Sequence, residues 1–217
     1  MALQTFLNLK DERQEEILEI CYKEFALKGY DSASLSDIVK TCALAKGSFY
    51  RYFASKKELY TFLLEKAKNK RLSNLHELIL NPEIDFFELI KLNFLEKVQF
   101  DLDFPSIGGF LYKVMHEKDN NEIADIIQHL YDSVLMQTKQ IITIDKYRNQ
   151  LLDLDLDMMT FQIFHMQLWL YDYVAKKFNL NYEENIKSGK PILNISKTDL
   201  ENIINQSVSM LKSGISK

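Results

Sequence analysis

Residues 46–59 read KGSFYRYFASKKEL, and eight of these positions bring bases and large aromatics together around a glycine. Lysine and arginine donate to phosphate oxygens or to guanine O6 and N7. Lys46 and Ser48 suit either role, and Arg51 supplies charge for phosphates. Gly47 lets a backbone approach a partner closely. Tyr50 and Tyr52 can touch a thymine methyl or bond a phosphate. Lys56, near a helix start, offers another phosphate contact, and Ser34 and Ser36 open the preceding helix where it would meet the same backbone. The plain alternative is a solvated turn with tyrosines packed at the edge of a core. The periodicity favours a split: Phe49 and Phe53, four apart, face inward, leaving Lys46, Gly47, Ser48, Tyr50, Arg51 and Tyr52 outward.

The charge distribution agrees with a polyanion as partner. The whole chain carries a net charge of −4. Residues 40–71 nevertheless hold nine Lys or Arg against two Asp or Glu. Screening lets such a local basic patch act apart from remote acidic charge.

Other candidate chemistry is thin. The run DLDLD at 153–157 looks like a divalent site, but an acidic helix start explains it better. The four histidines form no H-x-x-x-H pair, and Cys21 and Cys42 form no C-x-x-C, so no metal or other cofactor is expected. Gly108-Gly109 lacks the context of a phosphate loop, and no G-x-S-x-G nucleophile motif occurs. An enzyme is not expected; a polar constellation converging in a cavity would favour one, and none shows in the sequence. No apolar run of roughly 18 residues predicts a membrane span. The first residues lack a basic segment and a cleavage-like site, so no signal peptide is expected. Two cysteines in apolar helical patterns fit a reduced, cytoplasmic protein.

The elements that must position these residues are helical. Six Gly and three Pro in 217 residues predict long helices with few turns, and strand alternation is weak. About nine helices follow, in an all-α fold. They lie over 11–29, 34–42, 46–53, 55–80, 83–100, 106–117, 120–143, 154–178 and 197–213. Ser34 with Asp37, and Ser55 with Glu58, mark two helix starts. Asn81-Pro82 ends the fourth helix. DLDFPSIGG (101–109) reads as a loop and 179–194 as a polar connection.

Two short helices joined by about three residues form a helix-turn-helix. From there the stretch ILEICYKEFALKGYDSASLSDIVKTCALAKGSFYRYFASKKEL resembles the N-terminal signature of the TetR family of transcriptional regulators, over roughly residues 13–65. Two positions depart from the family pattern. Ala43 stands where a turn glycine is usual, and Ala45 where a polar cap is usual. The resemblance implies a DNA-binding head over 8–58 whose recognition helix, 46–52, enters the major groove. It also implies a helical body over 59–217 for effector binding and dimerisation. It further implies a repressor that binds a palindromic double-stranded DNA operator as a homodimer and is released by a small hydrophobic effector. A DNA-binding architectural protein without a ligand is the alternative, and a helical enzyme carrying a helix-turn-helix the more distant one.

The body offers its own signals. Residues 156–178 are apolar on two sides, which is more than a monomer needs. With Leu200, Ile203, Ile204, Ser207 and Leu211 on the last helix, they predict a dimer face centred on Leu170, Ile203, Ile204 and Leu211. The resemblance implies a four-helix bundle there. Between residues 83 and 173 there are many rings and few unpaired charges. Phe94, Phe110 and Trp169 are therefore expected to line a hydrophobic cavity of roughly 300 Å³ or more.

Overall fold

A computed structural model describes residues 2–72, 74–117 and 120–217. Among them every regular element is a helix, and one isolated antiparallel bridge joins Leu151 to Ser216. The helices are α1 (Ala2–Leu7), α2 (Asp11–Ser32), α3 (Leu35–Thr41), α4 (Lys46–Tyr50), α5 (Lys56–Arg71), α6 (Leu75–Leu80), α7 (Phe86–Asp103), α8 (Pro105–His116), α9 (Ala124–Ile142), α10 (Asp145–Arg148), α11 (Leu156–Lys177), α12 (Tyr182–Lys187) and α13 (Lys197–Ile215). The all-α expectation holds.

The local signals for helix starts act as the sequence implies. Ser34 Oγ accepts the Asp37 amide at 3.2 Å and Ser55 Oγ the Glu58 amide at 3.1 Å. Each satisfies an N–H with no partner inside its helix. Asp155, within DLDLD, does the same for Met158 at 2.7 Å, so that carboxylate caps α11. Among the described residues no group of three or more His, Cys, Asp or Glu could hold a metal ion. Among them, too, no helix is long and apolar enough to cross a membrane.

Several boundaries differ from expectation. The segment 55–80 is two helices, because α5 ends at Arg71 and α6 starts at Leu75. The expected loop 101–109 is mostly helix: α7 runs to Asp103, and Pro105 opens α8, where its missing N–H costs nothing. The polar connection 179–194 contains α12, which buries Ile186; Ile192 and Leu193 are buried after it. An added first helix, α1, plants Phe6 against Phe53 and Phe62, with ring centroids at 5.1 and 5.8 Å.

The first five helices fold around Ile17, Cys21, Phe25, Ile38, Phe49, Phe53 and Leu59, all buried. This head shares a core with the helices of the body. Tyr60 meets Phe25, Tyr30 and Phe110 edge-on, each near 5 Å. Helix α8 lies along α2 because Gly109 has no side chain: a Cβ there would sit 2.7 Å from Ile186 of α12 and 3.4 Å from Ala26 of α2.

Candidate nucleic-acid interface and the cavity behind it

The turn between α3 and α4 is built without its usual residues. Ala43 holds φ +52°, the left-handed region where glycine is at ease and alanine costs about 1–2 kcal/mol. The turn is tied by the Leu44 amide to the Val39 carbonyl at 3.1 Å, and Arg13 Nη2 donates to the Cys42 carbonyl at 2.6 Å. Ala45 gives α4 no side-chain cap, and α4 is accordingly short, ending at Tyr50 rather than at residue 53.

Phe49 and Phe53 point inward, 5.8 Å apart, and are fully buried. Lys46, Gly47, Arg51 and Ser36 are exposed, and Tyr50 is 42% exposed. Ser48 is half-buried and its Oγ accepts from Arg51 Nη2 at 3.2 Å. A Cβ on Gly47 would meet no protein atom within 4 Å, so nothing inside the fold requires glycine there. Lys46 and Tyr50 of α4 and Ser36 and Lys40 of α3 line one shallow groove of about 140 Å³. Lys40, which sequence reasoning did not single out, was legible only as part of the basic count.

Three of the expected contact residues are placed otherwise. Tyr52 is 9% exposed, its ring packed on Phe6 at 5.8 Å; it faces the core because α1 covers it. Lys56 donates to the Asp31 carbonyl at 3.0 Å and lies over the Tyr30 ring, so its ammonium binds the end of α2. Ser34 is half-buried and spends its oxygen on the cap of α3. Beside Lys56, Lys57 donates to both oxygens of Asp125 at the start of α9, at 2.8 and 3.0 Å.

Behind the head lies a cavity of about 160 Å³. Its wall includes Lys68, Arg71 and Leu72 of α5, Ile90, Phe94 and Lys97 of α7, Leu111 and Met115 of α8, Leu130 and Val134 of α9, and Ile163, Phe164, Gln167 and Tyr171 of α11. It is about half the size expected from the sequence. Of the expected lining residues only Phe94 is there. Phe110 is fully buried among Tyr22, Phe25 and Tyr60, one residue from Leu111 and so turned toward α2. Trp169 is 65% exposed on the far side of α11, two residues from both Gln167 and Tyr171 and so opposite them on the helix.

One end of the cavity is charged, contrary to the expectation of few unpaired charges and of no polar constellation. Arg71 Nη2 donates to Asp101 Oδ2 at 2.7 Å and to Tyr171 Oη at 2.6 Å; Tyr171 Oη donates to the same Asp101 oxygen at 2.7 Å. Asp101 is 1% exposed, and burial pushes its carboxyl up against the opposing pull of Arg71. Lys97 Nζ donates to Gln167 Oε1 at 2.7 Å and makes no ion pair among the described residues. Burial first, then the Arg71 charge, pulls the Lys97 ammonium down to about 7. Arg71 Nε and Asp101 Oδ1 have no hydrogen-bond partner among the described residues. The sequence held a trace of this cluster: Ile90, Phe94, Lys97 and Asp101 continue one helical stripe from apolar into charged residues.

The outer face of α11 and α13 is apolar and bare. Met158, Phe161, Trp169, Tyr173 and Met210 are more than half exposed, Met210 at 77%, along a groove of about 570 Å³. Of the residues expected on a dimer face, Leu211 is half-buried and lines this groove with Leu170. Leu170 is itself buried, and Ile203 and Ile204 belong to the protomer's own core, where α13 lies on α7.

Residues 17–61 match the family model for bacterial regulatory proteins of the tetR family. Two Bacillus subtilis proteins, both uncharacterized HTH-type transcriptional regulators, are similar over the head. YuxN is 39% identical over 64 residues, 30% of this chain and 22% of that protein. YfiR is 33% identical over 66 residues, 30% of this chain and 32% of that protein. The chain thus spans less than a third of the length of either. Solved structures match over nearly the whole chain. A TetR family transcriptional regulator from Chloroflexus aurantiacus superposes with a TM-score of 0.72 at 25% identity, covering 99% of this chain and 98% of that one. The ketosteroid transcriptional regulator KstR2 of Mycobacterium tuberculosis gives 0.61 at 16% identity, covering 97% of each, a likeness of fold.

Proposed function

The chain belongs to the tetR family of bacterial regulatory proteins, and from that premise we propose that it is a sequence-specific DNA-binding regulator. It acts in the cytoplasm as a homodimeric repressor, binding a palindromic operator and leaving it when a small effector fills the cavity behind the head. One observation carries the reading: Ser36, Lys40, Lys46 and Tyr50 line one groove, Gly47 within α4 and Arg51 at its end are exposed, and Phe49 and Phe53 anchor the same segment inward. Phosphate donors and groups able to touch base edges are thereby gathered on one surface. A two-fold dimer would present that surface twice, about one helical turn or slightly more apart.

The bare groove on α11 and α13 supports the dimer, since large exposed apolar residues are seldom left to water in such a cluster. The effector reading rests on which helices wall the cavity. Helix α5 begins in the head with Lys56 and Lys57 and reaches the cavity at Arg71. Helix α8 lines the cavity with Leu111 and Met115 and lies on α2 through Gly109. Just beyond α8, Glu117 accepts from the Tyr30 amide at 2.6 Å and from Tyr60 Oη at 2.9 Å. A molecule that displaced either helix would act on the end of α2, which kinks at Gly29 with φ +70°. That shift favours head spacings unable to span both half-sites. An architectural protein without a ligand would need no cavity here. The enzyme reading gains the half-buried Lys97, since a desolvated amine beside a cation can be a nucleophile. Among the described residues, however, its Nζ bonds only Gln167, and no base serves it.

The test is a footprint with a mutant series on matched and scrambled operators. Lys46→Ala and Tyr50→Ala should each cost about 1–3 kcal/mol at particular base pairs. Arg51→Ala should weaken all sequences alike and lower the salt slope by about 1. If Lys46→Ala and Tyr50→Ala leave affinity and base preference untouched, α4 is not the reading surface.

A further inference from the structure

The polar end of the cavity carries an imbalance that a ligand of one chemical class corrects. Lys68, Arg71 and Lys97 bring three positive charges to the cavity wall; Glu65 pairs with Lys68 at 3.0 Å and Asp101 with Arg71 at 2.7 Å, which leaves one positive charge in excess. Asp101 spends its bonded oxygen, Oδ2, on Arg71 and Tyr171. Its other oxygen faces Gly108, where a Cβ would come within 2.7 Å of it, away from Lys97's partner Gln167. Lys97 thus has three N–H donors, one neutral acceptor and no carboxylate among the described residues. Arg71 adds an unused Nε–H. Buried charge without a counter-ion is costly, and a buried donor without an acceptor adds to that cost.

We propose that the cavity binds a monocarboxylate with a short apolar body. The carboxylate lies against Lys97 and Arg71, and the body lies against Phe94, Leu130 and Ile163. The inference rests on the reading of this cavity as the effector site and gives that site its ligand class. A single negative charge matches the single positive excess. A phosphate monoester, with a charge of about −2 at neutral pH, overshoots it. A cation adds to the excess, and a neutral apolar molecule leaves the donors unsatisfied. Size narrows the class further. The cavity holds about 160 Å³, close to an engineered apolar cavity of about 150 Å³ that takes benzene. One ring or a short aliphatic chain fits; a sterol or a long acyl chain does not fit this conformation.

Calorimetry on the purified full chain tests this with benzoate and hexanoate against their neutral isosteres benzamide and hexanamide. The acids should bind about tenfold or more tighter than the amides, a gap of about 1.4 kcal/mol or greater. Lys97→Met should erase most of that gap, weakening the acids far more than the amides. Gln167→Glu is an independent second variant, because it gives Lys97 its own carboxylate and should displace the acids by a similar factor. The proposal is overturned by amides that bind as tightly as acids, by either variant holding benzoate as wild type does, or by no saturable acid binding up to millimolar concentration. Operator binding is measured alongside. Acids that fill the cavity yet leave the operator bound would refute release by effector while the carboxylate site stands.

Discussion

Replacing Lys97 with methionine should stabilise the ligand-free protein, and the gain should depend on pH in a way that identifies the cause. Burial and Arg71 bring the ammonium from 10.5 down to about 7. Each pKa unit is about 1.4 kcal/mol, so holding the charged form in the folded state costs on the order of 5 kcal/mol at low pH. Methionine has a similar length and no charge to desolvate. The substitution also leaves Gln167 Oε1 without its donor, at about 1–3 kcal/mol. The net expectation is a gain of about 2–3 kcal/mol near pH 6. The folded-state value lies below the unfolded one, so between them the unfolded chain binds one proton more than the folded protein. Wild-type stability therefore rises with pH across that window. From pH 6.5 to 8.5 the rise due to Lys97 alone is about 2 kcal/mol. The other charged or titratable groups packed around it are Arg71 and Lys68 of α5, Asp101 of α7 and Tyr171 of α11. Burial raises the Tyr171 phenol well above its ordinary value, out of this window. Urea unfolding of wild type and Lys97→Met at matched pH values isolates the effect, since titrations not coupled to Lys97 cancel in the difference; Asp101, which feels the Lys97 charge, is the coupled one. If the variant is no more stable at pH 6.5, or if the two proteins share one pH slope, Lys97 is not a buried cation and the charge imbalance in the cavity is wrong.

Three further outcomes are expected. Trp169→Asp or Met210→Asp should turn a dimer into a folded monomer by sedimentation with the helical circular dichroism unchanged; Ile204→Asp should instead unfold the protomer, because that side chain is 1% exposed within it. Gly108→Ala places a Cβ 2.7 Å from Asp101 Oδ1 and 2.9 Å from its Cβ and Cγ, so thermal unfolding should show a loss of about 1–3 kcal/mol despite alanine's better helix propensity. Ala43→Gly should relieve left-handed strain at φ +52° and, after the entropy cost of glycine, stabilise the head by about 0.5–1 kcal/mol in denaturant titration.

What could be read from the sequence depended on the range of the forces involved. The starts of α3 and α5 were legible because a serine cap acts on an amide three residues away. The inward turn of Phe49 and Phe53 was legible because it needs only the helical period. Tyr52 was misread because its cover, Phe6, comes from a separate helix some forty-six positions earlier in the chain, and no local pattern announces that contact. The hydrogen bond of Lys56 to Asp31 at the end of α2 was likewise beyond any local pattern. On α11 the sequence showed two apolar sides correctly but could not say which is inside. Leu170 and Trp169 are adjacent, and only the placement of α9 and α13 buries the first and exposes the second. The loop expected at 101–109 failed on its glycines. Gly108 and Gly109 read as chain breakers, and they are instead the two places where α8 lets neighbouring elements come close.

On the proposed effector reading, that pair of glycines is how so small a cavity would act on the head. At Gly108 the helix admits Asp101, the carboxylate that holds Arg71 and Tyr171 at the charged end of the cavity. At Gly109, one residue and about 100° further round, it admits Ala26 of α2 and Ile186 of α12. The same turn of one helix therefore touches the cavity's ion pair and the longest helix of the head, with no side chain between to absorb a displacement. Packed interfaces of this kind resist gradual deformation and tend to step between discrete arrangements. A carboxylate arriving at Lys97 and Arg71 would draw Arg71 away from Asp101 or tighten its hold, and either change alters the seat of Gly108. Glu117, just beyond the far end of α8, accepts from Tyr30 and Tyr60 next to the Gly29 kink, so on the proposed reading a shift of α8 would be felt at the end of α2. On the proposed effector reading, the close contacts on both sides of α8 make it the part of the fold through which an electrostatic event in the cavity would reach α2.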